Sequence, residues 1–237
     1  MSDAPNFDRL ARFYRWMEVF SFGPWLMRCR CAFLDRFDRS CHALLLGDGD
    51  GRFAALLLGI NPTVRIEAVD ASSAMVRALV HRAGSHAGRV RAYRADLRQW
   101  QPGDWNVDAA DLLPYDLVVT HFFLDCLATE EVRTLADKLR ACVAPEAIWV
   151  VSEFAVPEGL LGLLVARPVI WGLYCAFGWL TGLKLRRLPR YSDALHLAGF
   201  TLKERKWWLG GLLVSDLWFP TPTDSPHATP SGANYHS

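Results

Sequence analysis

The stretch Leu44-Leu45-Leu46-Gly47-Asp48-Gly49-Asp50-Gly51 decides how this chain is read. An apolar run meets glycines at three alternate positions, and an apolar helical pattern, Arg52 to Ile60, follows at once. Strand, tight turn, helix is the local form of a nucleotide-binding site. Glycine reaches backbone angles closed to other residues and lets a ligand approach the main chain. The helix beyond presents unpaired N–H groups. The spacing is not the dinucleotide fingerprint G-x-G-x-x-G, since Arg52 stands where its third glycine belongs.

Working outward, strands and helices alternate. Strands are expected at 43–46, 64–69, 89–93, 115–120 and 147–154, with helices at 53–60, 72–81 and 129–142 between them. This rhythm predicts a parallel sheet covered by helices on both faces. Before the first strand, Phe7, Leu10, Phe13, Tyr14, Met17 and Phe20 keep helical spacing. Gly23-Pro24 breaks that pattern, and a second helix is expected from about Trp25 to Phe37. After the fifth strand, 160–183 is strongly apolar but interrupted by Arg167-Pro168, which favours two short helices over a membrane span. A short helix at 191–199 and a hairpin, 200–208 and 212–218 around Gly210-Gly211, complete the pattern. From Pro220 the composition turns to Pro, Ser, Thr, His and Gly, and a disordered tail is expected. The domain boundaries are thus 1–39 (helical cover), 40–219 (sheet domain, with an apolar insertion or lid at 155–190) and 220–237.

The 237 residues suffice for one α/β domain. Twenty-six basic against 25 acidic residues leave almost no net charge, which argues against a general nucleic-acid binder. The six cysteines form no Cys-x-x-Cys pair. Cys29, Cys31, Cys41 and His42 lack the paired spacing of zinc sites, so no metal is expected. Reduced thiols and a polar N-terminus read as cytoplasmic.

In sheets of this kind ligands bind at the carboxyl ends of the strands. The first strand ends in the glycine turn, the second in Asp70, the third just before Asp96, and the fourth in Thr120-His121-Phe122. A carboxylate at 70 can accept both hydroxyls of a ribose. Together with Glu67-Ala68-Val69-Asp70-Ala71-Ser72, Arg94-Ala95-Asp96-Leu97, Tyr115-Asp116-Leu117-Val118-Val119-Thr120-His121 and Trp149-Val150-Val151-Ser152-Glu153, this set resembles the class I S-adenosylmethionine-dependent methyltransferases. The likeness covers about 40–154, and the hairpin by position. It implies a doubly wound, Rossmann-like seven-stranded sheet of order 3-2-1-4-5-7-6 with strand seven antiparallel. It implies S-adenosyl-L-methionine as cofactor, held by Gly47, Asp48, Gly49, Gly51, Asp70, Ala71, Met75, Asp96, Leu97, Thr120 and His121. Within that set the glycine turn takes the methionine part, Asp70 the ribose and Asp96-Leu97 the adenine.

One departure stands out. The family usually carries an acidic residue two places before the first glycine, where this chain has Leu45, and a small residue or cysteine where it has Asp48. Asp48 or Asp50 is then left to pair with the cofactor's ammonium group. Because a sulfonium methyl is already electrophilic, orientation does most of the work. A general base helps where the acceptor carries a proton, and His121 and Asp125 are the candidates. Each site residue also has a plain structural reading: a bare turn for the glycines, helix capping for Asp70 and Asp125, loop capping for Asp96, a pocket or core histidine for His121, and core helices for the apolar insertion.

That insertion and the N-terminal helices usually cover the substrate in such proteins. Both are apolar and aromatic here, and the region is loosely similar to the ubiquinone/menaquinone C-methyltransferase branch. A small or medium-sized lipophilic acceptor is expected. Weak contact of Lys184, Arg186, Arg187 and Arg190 with an anionic membrane surface is a secondary expectation. A nicotinamide-dependent oxidoreductase and a non-catalytic binding protein of the same fold are the competing readings. The oligomeric state is not legible in the sequence.

Overall fold

The computed structural model describes residues 24–101, 114–156 and 189–222. Its frame is a seven-stranded sheet: β1 (His42–Leu46), β2 (Arg65–Asp70), β3 (Val90–Arg94), β4 (Tyr115–His121), β5 (Val143–Phe154), β6 (Phe200–Trp208) and β7 (Leu213–Pro220). The order is β3-β2-β1-β4-β5-β7-β6. β1 to β5 run parallel, and β7 is antiparallel to both β5 and β6. This is the sheet that the family resemblance implied.

β1 lies in the middle and is covered on both faces, which is why it reads as an unbroken apolar run. Alternation sends Leu44 and Leu46 to one face, with Val118, Leu135, Trp149 and Val151. Ala43 and Leu45 go to the other, with Phe33, Phe37, Phe53, Leu57 and Ile66. Leu45 is therefore a core residue beneath the helix that follows the turn.

The helices are α1 (Pro24–Arg30), α2 (Arg52–Ile60), α3 (Ser73–Ala83), α4 (Thr129–Arg140) and α5 (Tyr191–Leu197). α3 opens on a capping residue: the Met75 N–H donates to Ser72 Oγ at 3.3 Å. At the start of α4, Glu131 reaches back to accept the Ala128 N–H at 2.7 Å. The helix expected from Trp25 to Phe37 is shorter. It ends at Arg30, and a single 3₁₀ turn at Leu34–Arg36 follows. The segment beyond that turn is held by Asn61, which is fully buried. Its Nδ2 donates to the Phe37 and Ser40 carbonyls at 2.8 and 2.7 Å, and its Oδ1 accepts the Val64 N–H at 2.9 Å. The segment before β1 is thereby tied to the start of β2, while Phe33 and Phe37 still enter the core.

β5 begins at Val143, earlier than the expected 147, because Val143 pairs with Tyr115 across an irregularity in the β4 register. The helix over 6–20, the apolar stretch 160–183 and the tail beyond 222 lie outside the described residues. Among the described residues, no helix is long and apolar enough to cross a membrane.

Gly51 connects the turn to the layer outside it. Its φ is +78°, and a Cβ built on it would fall 2.7 Å from the Leu79 Cα of α3. Gly51→Ala is expected to cost at least about 2 kcal/mol, from left-handed strain and a clash with backbone that cannot give way. Urea denaturation measures this, and a loss of only a few tenths of a kcal/mol would contradict it.

Candidate functional site: the carboxyl ends of β1, β2, β4 and β5

The turn after β1 is held by the Gly47 N–H, which donates to the Val69 carbonyl at 2.9 Å. Gly47, Gly49 and Gly51 all have positive φ, at 70°, 65° and 78°. Their surroundings differ. A Cβ on Gly47 would meet the Phe123 ring at 2.6 Å, and one on Gly51 would meet α3, whereas one on Gly49 would have nothing within 4 Å among the described residues. The outer glycines are demanded by packing. The middle one faces open space, a cradle a ligand can enter.

Asp70 closes on that cradle. Its carboxylate accepts the Ser72 N–H at 2.8 Å and the backbone N–H of Gly49. The end of β2 and the glycine turn are thus side by side. Burial pushes the Asp70 carboxyl up to about 6, against the pull of those two N–H bonds. Asp70 is not the cap of α3, since Ser72 fills that place.

Two carboxylates of the turn have different fates. Asp50 pairs with Arg52 at 3.1 Å and Arg82 at 2.9 Å. Asp48 points inward. One oxygen accepts the Ala54 N–H at 3.2 Å, and Oδ1 has no hydrogen-bond partner among the described residues. Burial pushes Asp48 up to about 7, opposed by the nearby Arg30 guanidinium. An inward carboxylate oxygen beside the open Gly49 is the chemistry that an ammonium group needs. It stands in the turn itself, where Leu45 is committed to the core.

The remaining cofactor candidates are less uniform. Met75 lies in the first turn of α3 and is half-buried, as is Ala71, whose carbonyl accepts Arg94 Nε at 3.4 Å. Asp96 is exposed and caps its own turn, accepting the Arg98 N–H at 3.0 Å. Leu97 is packed into the core beside it. Thr120 is fully buried, and its Oγ1 accepts the Trp149 indole N–H at 3.0 Å.

His121 and Asp125 fall on opposite sides of the sheet. His121 Nδ1 is 2.9 Å from Ser152 Oγ, and its ring stands edge-on to Phe53 at the start of α2. Ser152 Oγ extends the network to Ser215 Oγ at 3.1 Å and to the Cys29 carbonyl at 3.4 Å. Burial, and secondarily Arg30, hold His121 well below its ordinary pKa, so the ring is neutral. Its Nε2 has no hydrogen-bond partner among the described residues. The next residue of β5, Glu153, faces the other way. There Asp125 lies buried, with Cys126 Sγ donating to it at 3.4 Å. No hydrogen bond or ion pair joins His121 to Asp125 among the described residues. Burial raises Asp125, while burial and then the Asp125 charge raise Glu153 well above the usual carboxylate range.

Two further residues belong to this region. Glu153 accepts the N–H groups of Phe123 and Leu124 at 3.0 and 2.7 Å. The signal for it in the sequence is a polar pair, Ser152-Glu153, ending an apolar strand. Arg30, buried on α1, lies over the Phe122 ring at 5.6 Å and acts on both Asp48 and His121. Nothing in its local sequence marks it.

A seven-stranded sheet with an antiparallel β7 between β5 and β6, and a glycine turn beside an acidic β2 end, defines the class I S-adenosylmethionine-dependent methyltransferase architecture. Residues 44–149 match the family model described as "Methyltransferase domain". The sheet of this chain thus has the fold of the class I S-adenosylmethionine-dependent methyltransferases. Solved structures agree in fold. The mitomycin 7-O-methyltransferase MmcR is 12% identical with a TM-score of 0.63, covering 89% of this chain and 58% of its own. An O-methyltransferase family protein from Burkholderia thailandensis is 17% identical with a TM-score of 0.62, covering 88% and 58%. A TehB-like methyltransferase from Corynebacterium glutamicum is 12% identical with a TM-score of 0.58, covering 90% and 98%. The chain thus spans less than two thirds of the length of the first two. No curated protein sequence matches.

His121 gives a prediction of definite sign. Its folded pKa lies below the unfolded value of about 6.5. As pH falls below that value, the unfolded chain takes up a proton that the folded one refuses, and stability is lost. Urea denaturation from pH 8 to pH 5 will show this as a difference between wild type and His121→Gln. The wild type loses more stability over that range, and parallel curves would remove His121 as the source.

Proposed function

We propose that this chain transfers the methyl group of S-adenosylmethionine to a small or medium-sized apolar acceptor. The carrying observation is the Asp70 carboxylate on the Gly49 N–H, beside a glycine with open space above it. When bound, the cofactor supplies a methyl group on a positively charged sulfur. The chain's own residues bind and orient. Asp70 accepts the ribose hydroxyls, Asp48 Oδ1 takes the ammonium group in place of the usual acid at position 45, and Asp96-Leu97 flanks the adenine. Gly47, Gly51, Ala71, Met75, Thr120 and His121 shape the remaining wall. Orientation of the acceptor behind the methyl is the main catalytic effect.

The apolar nature of the acceptor is supported by an aromatic cluster beyond β4 and β5. Phe122 and Phe154 have ring centroids 5.0 Å apart, and Trp25 and Trp208 6.3 Å. Leu26 and Leu213 pack with them. For an acceptor that carries a proton, Asp125 is the base we favour. Its raised pKa brings it nearer neutrality, where a carboxylate is most effective in that role. His121, locked to Ser152 on the other face, stays a neutral hydrogen-bonding wall.

The oxidoreductase reading is not favoured. Dinucleotide sheets run parallel through six strands, whereas here an antiparallel strand is inserted next to the edge. Arg52, in place of the third glycine, is engaged with Asp50.

Calorimetric titration with S-adenosylhomocysteine tests the reading. Wild type is expected to bind, and NAD to give no heat. Asp70→Ala should weaken binding by about 1.5–3 kcal/mol, roughly ten- to hundredfold, through loss of charged hydrogen bonds. An unchanged Kd removes Asp70 from the site, and tight NAD binding without a response to S-adenosylhomocysteine would falsify the proposal.

A further inference from the structure

At the end of β5, after the apolar Trp149, Val150 and Val151 and the buried Ser152, Glu153 is an acidic side chain 1% exposed. Burying a carboxyl is costly unless it is hydrogen-bonded. Its bonds go to one place. Oε1 accepts the N–H groups of Phe123 and Leu124 at 3.0 and 2.7 Å, while Oε2 has no hydrogen-bond partner among the described residues. These two donors belong to the turn leaving β4. That turn is strained: Phe122, a bulky residue, has φ +53°, a region that few side chains adopt. Such a conformation persists only where the surroundings over-determine it. The Phe122 N–H donates to the Ser152 carbonyl at 2.7 Å on one side, and Glu153 takes the next two N–H groups on the other.

The next side chain along this turn is Phe123, whose ring occupies the space where Gly47 has no Cβ. Gly47 begins the turn that reaches Asp70. A continuous chain of contacts therefore runs from the Glu153 carboxyl to the post-β4 backbone, to the Phe123 ring, and to the floor of the glycine turn.

We propose that Glu153 is a positioning residue for the cofactor site: it fixes the Phe122–Leu124 backbone so that Phe123 lies against Gly47 and sets the conformation of the glycine turn. The inference rests on the methyltransferase reading above and adds to it a residue remote from the cofactor's own ligands. The Asp125 carboxyl lies close enough to act on Glu153. The pair thus joins the wall that holds the cofactor turn to the wall where the acceptor's proton is received.

A double-mutant cycle on the full chain tests this, with S-adenosylhomocysteine binding by calorimetry as the readout and melting temperature recorded in parallel. Glu153→Ala should weaken binding at least about tenfold. Glu153→Gln keeps a carbonyl oxygen for the two N–H groups and should restore affinity to within about threefold of wild type. Phe123→Ala should also weaken binding, and the double variant should bind about as weakly as the worse single variant. Where the alanine variant does not fold, Glu153→Asp serves: it keeps the charge but shortens the reach, and should weaken binding as alanine does. Wild-type affinity in Glu153→Ala or Glu153→Asp overturns the proposal. So does a glutamine variant as weak as alanine, and so do losses that multiply in the double variant. Absence of binding by the wild type overturns the methyltransferase reading as well, whereas binding by the wild type with unaffected Glu153 variants overturns this inference alone.

Discussion

The constraint on which the rest depends is the double burial of β1. With helices on both faces, its residues from Ala43 to Leu46 have no exposed surface. Nothing polar can sit along it without a partner. Its chemistry is displaced to the point where the strand ends. There the chain must turn sharply enough to start α2 at once, and the outer glycines at 47 and 51 meet that demand by leaving room for Phe123 and Leu79. Gly49 is left without a packing role, and the space beside it is available to a ligand. Core packing and the binding site are two results of the same short segment.

Polar groups that do enter the interior obey the same constraint in small, satisfied networks. Asn61 ties the entry of β1 to that of β2. Asp216 on β7 is fully buried and takes two bonds from Arg205, at 2.7 and 2.6 Å, and one from Tyr191 at 3.0 Å, which anchors α5 against β6 and β7. His121, Ser152 and Ser215 link β4, β5 and β7 on the opposite face. Among the described residues, three of the buried polar atoms without a hydrogen-bond partner, on Asp48, His121 and Glu153, lie at the carboxyl ends of strands, while the indole nitrogens of Trp100, Trp208 and Trp218 are others.

Much of this was legible in the sequence because the signals are local. The alternation of apolar strands with helical patterns, the glycine spacing and the terminal Asp70 each depend on neighbours a few residues away. The inserted antiparallel strand came only from family resemblance, since no periodicity in 213–220 tells which strand it will join. Glu153 and Arg30 were missed as site residues for a related reason. What makes them notable is burial beside groups distant in sequence, such as Leu124 and Asp48; the polar pair 152–153 is the one local sign of Glu153, and nothing local announces Arg30. His121 and Asp125, the two candidate bases, stand apart because the strand ends between them. The chain crosses to the other face of the sheet there, and four residues become two environments.

The place of β7 bears on how the molecule comes to be whole. It pairs with β5 on one side and β6 on the other, over Leu213–Pro220. Until those residues are available, β5 has an open hydrogen-bonding edge and β6 has no neighbour at all. A chain made from its N-terminus can assemble the glycine turn and the first five strands early, yet the sheet cannot close until Leu213–Pro220 has left the ribosome. Before β7 is in place, the edge of β5 from Trp149 to Phe154 lacks the strand that covers it in the folded sheet.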